Sequence, residues 1–348
     1  MSPTSLRALL GLEFPIIQAP MAGVQGSALA TAVCEAGGLG SLPCAMSTPD
    51  AMRSELAAIA AQTPRPYNAN FFCHTPPLAD AARETAWRQR LAPYYRELGL
   101  DIDAIPRGPT RTPFDAATAD LLETLKPPVV SFHFGLPAAD LLARVRHWGS
   151  KILASATSID EALWLEAHGA DAIIAQGLEA GGHRGHFLSH DLTLQSGLFA
   201  LLPQIVDAVD VPVIAAGGIA DARGVAAALA LGAAGVQVGT AYLLCPESTT
   251  SAVHRAALKS AASRHTALTN LFSGRPARGI VNRAVRELGA LSETAPEFPL
   301  AASAMTPLRT YAERNGSGDF SPLWAGQNAR ACRETPAAQL TRELAALL

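Results

Sequence analysis

The stretch QGLEAGGHRGHF, residues 176–187, sets His183 and His186 beside an acid and an arginine in a run with four glycines. An unperturbed imidazole titrates near pH 6.5, so it can take up or return a proton at neutral pH. Glycine lets backbone lie close against a bound molecule. These residue types together suit proton transfer beside a ligand better than they suit a packed core. His133, in SFHFG, is the second candidate. A histidine between two phenylalanines in an apolar run is more often a satisfied core residue than a catalyst. His183, His186 and His190 make a poor metal cluster, since their spacing is irregular and no cysteine or carboxylate completes it. No GxSxG elbow occurs, which disfavours a Ser/His/Asp triad.

Two further loops point to a phosphate. AAGGIAD contains Gly217 and Gly218, and QVGTAY contains Gln237, Val238, Gly239 and Thr240. Glycines expose backbone N–H groups, and a helix that follows adds the positive end of its dipole. One such loop is equally a tight strand-to-helix turn. Two after adjacent strands favour a phosphate group, and the lack of a Walker motif favours a phosphate-bearing cofactor over a nucleoside triphosphate. Gln18, Asn70, Gln176 and Gln237 interrupt otherwise apolar runs. A buried amide without partners costs about 1–3 kcal/mol. Four at one end of a fold suggest a polar heterocycle, with ordinary core hydrogen bonding as the alternative.

The elements that must position these groups alternate in texture. PIIQAP, GLGSLP, YNANFF, VVSFHF, KILASA, DAIIAQ, VPVIAAGG and GVQVGTAY read as strands buried on both faces. Between them, GSALATAVCEAGG, STPDAMRSELAAIAAQ, SIDEALWLEAHGA and IADARGVAAALALGA have helical spacing, polar starts and glycine stops. Eight such strands alternating with helices predict an α/β TIM (β/α)8 barrel, with a doubly wound open sheet as the alternative. In a barrel the active site lies at the carboxyl ends of the strands, where all the residues named above fall. Residues of about 74–112 read as an insertion after the third strand. The expected division is a barrel over 1–245 and a substrate-binding or capping segment with C-terminal helices over 246–348.

Composition narrows the partners. The 348 residues are 49% hydrophobic and 16% charged, with a net charge of −3 and no basic cluster. Nucleic acid and anionic membrane are therefore not expected partners. The five cysteines are scattered and form no CxxC pair, so neither a disulfide framework nor a zinc ribbon is expected. The start has no secretory pattern, and no apolar run is long enough to span a bilayer. A cytoplasmic protein is expected.

PIIQAPMAG, NANFF, SFHFG, EAGGHRG, VIAAGGIADARG, LGAAGVQVGT, GRPARGIVN and DFSPLWAGQ together resemble the nitronate monooxygenases, formerly called 2-nitropropane dioxygenases, and their class I members in particular. The resemblance runs from about Pro15 to Gln327. It implies an FMN-containing barrel with an added substrate-binding domain, oxidising alkyl nitronates with O2 to carbonyl compounds and nitrite. Nitroalkanes and propionate 3-nitronate are among the implied substrates. By the same resemblance His183 is the base for neutral nitroalkanes and His133 helps to hold the nitro group. The implied FMN contacts are Ala19, Pro20, Met21, Asn70, Gln176, Gly181, Gly182, Gly217, Gly218, Gln237, Val238, Gly239 and Thr240. Met21, Phe72, Phe132 and Phe134 are candidates for the mouth, although alternation along a strand sends some of them into the core. The expected partners are a small nitronate or nitroalkane and O2, with the protein a monomer or homodimer. The rival reading is an FMN-dependent NAD(P)H oxidoreductase, acting on enoyl thioesters or quinones, on the same barrel; a binding module without turnover is the rival of another class.

Overall fold

All eight apolar runs become strands. In the computed structural model, which describes residues 5–78, 80–105 and 111–348, they are β1 (Ile16–Gln18), β2 (Gly40–Pro43), β3 (Tyr67–Phe72), β4 (Val129–His133), β5 (Lys151–Ala156) and β6 (Ala172–Gln176). After β7 (Gly182–His183), which lies outside this set, come β8 (Val213–Ala216) and β9 (Gly235–Val238). Residues 79 and 106–110 of the expected insertion lie outside the described residues.

The strands are parallel neighbours in the order β1-β9-β8-β6-β5-β4-β3-β2. The sheet closes where Ile17 bridges Leu39, with Gln18 N donating to Leu39 O at 2.9 Å and Leu39 N to Ile16 O at 2.9 Å. This is a TIM barrel, and the open-sheet alternative is set aside by that closure. Every residue of β1, β2, β3, β6 and β8 is buried, as strands walled by helices outside and side chains inside require.

The helices start where caps predict. Thr48 Oγ1 accepts from Ala51 N at 3.3 Å to open Pro49–Gln62, and Ser158 Oγ accepts from Glu161 N at 3.2 Å to open Ile159–Ala167. Asp221 Oδ1 accepts from Gly224 N at 3.0 Å ahead of Ala222–Ala230. The helix that completes the outer ring comes from the far end of the chain. Ala337–Leu344 packs beside Ser27–Glu35, burying Leu340 and Leu344, and Thr341 Oγ1 meets the buried Tyr242 hydroxyl at 2.9 Å. Most of the tail is thus an excursion between β9 and its helix.

That excursion builds a second layer. β10 (Thr266–Thr269) and β11 (Ala277–Ile280) form an antiparallel pair, and β7 adds to it with His183 opposite Ala277. The helix Ala81–Glu97, from the insertion after β3, packs on Ala301–Arg314 from the tail. Tyr95 Oη donates to Ala304 O at 2.7 Å, and Trp87, Leu91, Leu271, Leu308 and Phe320 share one apolar cluster. The two excursions therefore support each other over the barrel. Among the described residues no helix is long and apolar enough to cross a membrane.

Candidate functional site

His183 is held from several sides. Its carbonyl accepts from Gln176 Nε2 at 2.9 Å and lies 3.2 Å from His133 Nε2. Gln176 Oε1 in turn accepts from Gly185 N at 2.8 Å. The loop is thus fastened to β6 at His183 and again at Gly185, and to β11 through the sheet. Gly182 has φ of 72°, a left-handed conformation that glycine adopts without strain. The ring Nε2 lies 2.8 Å from Ser273 Oγ, whose hydroxyl is directed to Arg275 O at 3.3 Å. That pattern assigns the Nε2–H to His183 and leaves Nδ1 as its basic nitrogen.

His133 has both ring nitrogens engaged by protein. Nε2 faces a carbonyl and must donate, so Nδ1 accepts from Ser155 Oγ at 3.0 Å. Burial, reinforced by the Arg275 charge, lowers its pKa to about 3. It is a neutral strut under His183.

An aromatic cage surrounds His183. Ring centroids of Phe298, Trp324, Phe134 and Phe72 lie 5.3, 5.5, 6.1 and 6.3 Å from the imidazole. Phe134 has φ of 70°, a rare backbone conformation for a bulky side chain, of the kind found at functional sites. Phe72 and Phe134 therefore belong to the buried wall around His183. Phe132 does not: it is fully buried behind the barrel wall, edge-on to Phe114 at 5.3 Å. Met21 is partly buried and packs beside Val24 and Leu243 under the tail.

Charge enters this cage from two arginines that sequence reasoning missed. Arg275 lies with its guanidinium carbon 4.0 Å from the Phe134 centroid and donates to His186 O. Arg111 lies 5.2 Å from the Phe298 centroid. Neither has a carboxylate within 4 Å among the described residues, and Arg275 Nε, Arg111 Nε and Arg111 Nη1 are buried without partners. Burial lowers both guanidiniums to about 10. Burial first, then Arg111, His133 and Arg275, push His183 well below 6.5. His74 is a third imidazole here, 4.8 Å from Phe298, with Nδ1 unpartnered and its pKa lowered to about 4 by burial and both arginines. An apolar box with unpaired buried cations is a receptor for a small anion. Arg275 sits in GRPARG, a motif visible in the sequence, whereas nothing near Arg111 or His74 marks them.

The glycine loops meet at the rim. Gly217 and Gly218 have φ of 123° and 71°. A Cβ on Gly239 would come 3.3 Å from Ala19 Cβ and 3.7 Å from Met21 Sδ, so Ala19, Pro20 and Met21 adjoin that loop. The tail segment LWAGQ folds over both loops. Gly326 N donates to Thr240 Oγ1 at 3.0 Å, and Asn328 Nδ2 to Gly218 O at 2.9 Å. Gly181 is a glycine because this segment touches it: a Cβ there would lie 2.5 Å from Gly326 N. Val238 is buried, and its carbonyl accepts from Ala19 N at 2.8 Å.

The four amides divide. Gln18 is fully buried and bonded to Gln25 and to Ser41 N, and Gln176 is bonded at both ends, so both serve the protein. Asn70 Nδ2 bonds Ser131 Oγ at 2.9 Å. Gln237 Oε1 is buried with no partner and calls for a donor. The rim is compatible with a flavin: the ring edge would offer a donor to Gln237 Oε1, and backbone amides at 217, 218 and 239 would be open to a phosphate. Asp221 already caps the helix Ala222–Ala230, so the cradle rests on glycine amides more than on that dipole.

The comparisons with known proteins agree across the whole chain. Residues 4–346 match the family model of nitronate monooxygenase. The chain is 44% identical over 345 residues to the nitronate monooxygenase of Pseudomonas aeruginosa, covering 97% of this chain and 96% of that one. It is 45% identical over 345 residues to that of Paraburkholderia phytofirmans, covering 98% and 93%. Among solved structures, a nitroalkane oxidase from Streptomyces ansochromogenes has a TM-score of 0.89 at 41% identity, covering 99% of this chain and 97% of that one. FabK from Thermotoga maritima has a TM-score of 0.73 at 28% identity, covering 99% and 95%.

Proposed function

The chain belongs to the nitronate monooxygenase family, and from that premise we propose that it binds FMN and oxidises small alkyl nitronates with O2 to carbonyl compounds and nitrite. The observation that carries this reading is the pair of unpaired guanidiniums, Arg111 and Arg275, in the aromatic cage around a neutral His183. Bound FMN supplies the centre that accepts electrons from the substrate and delivers them to O2. Ala19–Met21, Asn70, Gly181, Gly182, Gly217, Gly218 and Gln237–Thr240 would line the rim that holds it, with Gln176 fastening the His183 loop beside it.

The protein's own residues do the rest. Arg275 and Arg111 attract and orient the anion, and the phenylalanines exclude water, which strengthens both charges. With a neutral nitroalkane, His183 Nδ1 takes the proton from the carbon beside the nitro group, and Arg275 stabilises the nitronate that results, which leaves Arg111 for a second anion. Burial, aided by the nearby positive charges, keeps His183 unprotonated at neutral pH and so ready to act. His133 keeps the His183 carbonyl in place and contributes through that support to holding the nitro group.

Two cations in the cage exceed what one nitronate charge requires. The substrate class favoured is a nitronate with a second anionic group, propionate 3-nitronate among them. The second reading is an NAD(P)H-dependent reductase on the same scaffold, since the glycine loops after β8 and β9 would serve either enzyme. The test compares FMN-loaded protein in air with propionate 3-nitronate and with NADPH plus a quinone or enoyl thioester. Nitrite release with the first and negligible NADPH oxidation supports the proposal, and the reverse pattern sinks it.

A further inference from the structure

Glu161 does more than its helix requires. It occupies the first turn of Ile159–Ala167, where a carboxylate that reaches back to preceding backbone is an ordinary cap. One oxygen does this: Oε2 accepts from Thr157 N at 2.7 Å and from Thr157 Oγ1 at 2.8 Å. The other leaves the helix. Oε1 accepts from Phe187 N at 2.6 Å and from Leu188 N at 3.3 Å, in the loop that begins with His183. The carboxylate is 2% exposed and has no cation within 4 Å among the described residues. A buried carboxylate held by four donors and no ion pair is a rigid connector.

The same loop is gripped at its other flank. Arg184 is fully buried, and its Nη1 and Nη2 donate to Gly177 O at 2.6 Å and Gln176 O at 2.7 Å. Its Nε donates to Gln195 Oε1 at 2.8 Å, and Gln195 Nε2 donates to Thr157 Oγ1 at 2.8 Å. Thr157 then donates to Glu161. The chain Arg184–Gln195–Thr157–Glu161 thus closes a ring behind the segment 184–188, with the end of β6 at one side and the end of β5 at the other. Arg275, from the turn between β10 and β11, joins through His186 O, so the guanidinium is tied to the loop that carries the base.

We propose that Glu161 is a positioning residue for catalysis: by holding the Phe187 and Leu188 amides it fixes where His183 stands relative to the substrate. This rests on the reading of His183 as the base for neutral nitroalkanes. A carboxylate is needed because all four of its partners are donors. A glutamine would turn its own NH2 group toward one pair of them.

The test uses FMN-loaded full-length Glu161→Gln, with His183→Asn in parallel. The expected result is a fall in kcat on a neutral nitroalkane of roughly tenfold, with kcat/KM on preformed nitronate changed by less than about threefold, because proton transfer depends most steeply on geometry. Hydrogen exchange at the Phe187 and Leu188 amides, which needs neither turnover nor cofactor, rises by roughly tenfold. Unchanged exchange, or equal losses on both substrates, overturns the proposal. If His183→Asn itself affects both substrates equally, the base reading falls and takes the positioning role with it. If Glu161→Gln separates nothing while His183→Asn does, only the proposal for Glu161 falls. Should Glu161→Gln fail to fold, Thr157→Val cuts the same ring at near-constant volume; it should lower the nitroalkane-to-nitronate ratio by a few-fold, and an unchanged ratio overturns the proposal.

Discussion

Arg111→Met separates the two anions of the favoured substrate. Arg111 has two buried donors, Nε and Nη1, without partners, and its guanidinium lies 5.2 Å from the Phe298 centroid. Methionine keeps much of the volume and removes the charge. A hydrogen bond from a charged donor is worth about 1.5–3 kcal/mol, which is roughly 10- to 150-fold in kcat/KM. That loss should fall on propionate 3-nitronate. An alkyl nitronate of similar length without the carboxylate, held by Arg275, should lose no more than about threefold. Stability moves the other way. A buried cation without a counter-charge opposes folding, so the midpoint of thermal unfolding should stay or rise in the variant. The assay is nitrite release under both substrates together with a thermal melt. Equal losses on the two nitronates, or a melt lowered by several degrees, would refute the assignment of Arg111 to a second anion.

Three other outcomes follow from the same geometry. His183→Asn should retain FMN and lose neutral nitroalkane turnover by at least about 100-fold, with nitronate turnover less affected; equal loss on both would remove the base role. Gly217→Ala forces an L residue to φ of 123° with a Cβ 3.2 Å from the Ala180 nitrogen, at a cost of about 1–3 kcal/mol, and should weaken FMN binding in a fluorescence titration; unchanged affinity would exclude this loop from the cradle. His74 and His254, lowered to about 4, and His133 and His186, lowered to about 3, are neutral when buried. The unfolded chain takes up their protons first as pH falls through 6.5, so stability drops by up to about 1.4 kcal/mol per pH unit for each. Melting points should therefore fall steeply from pH 6.5 toward 4, and a flat profile would contradict the neutral assignments.

The barrel was legible because strands walled on both sides leave continuous apolar runs, and because Thr48, Ser158 and Asp221 stand where caps belong. The site was half legible. His183 stood out through its glycines, yet its strand pairing did not, because a two-residue strand has no periodicity and its partner Ala277 lies far along the chain. Gln18 and Gln176 were visible as amides in apolar runs, but only the fold shows that both serve the protein. Arg111 and Arg275 come from separate excursions after β3 and β9, and no local pattern joins them. Phe132 was misplaced as a possible mouth residue because alternation alone does not say which face of a strand looks into the barrel.

The most direct test of the central claim is an absorbance spectrum of the purified protein, recorded before and after anaerobic addition of a nitronate and, separately, of NADPH. A yellow protein carrying FMN is expected, with visible absorbance that bleaches with the nitronate, hardly changes with NADPH, and returns on admission of air. A colourless protein that does not take up added FMN, or a flavin bleached by NADPH and indifferent to nitronate, would contradict that claim.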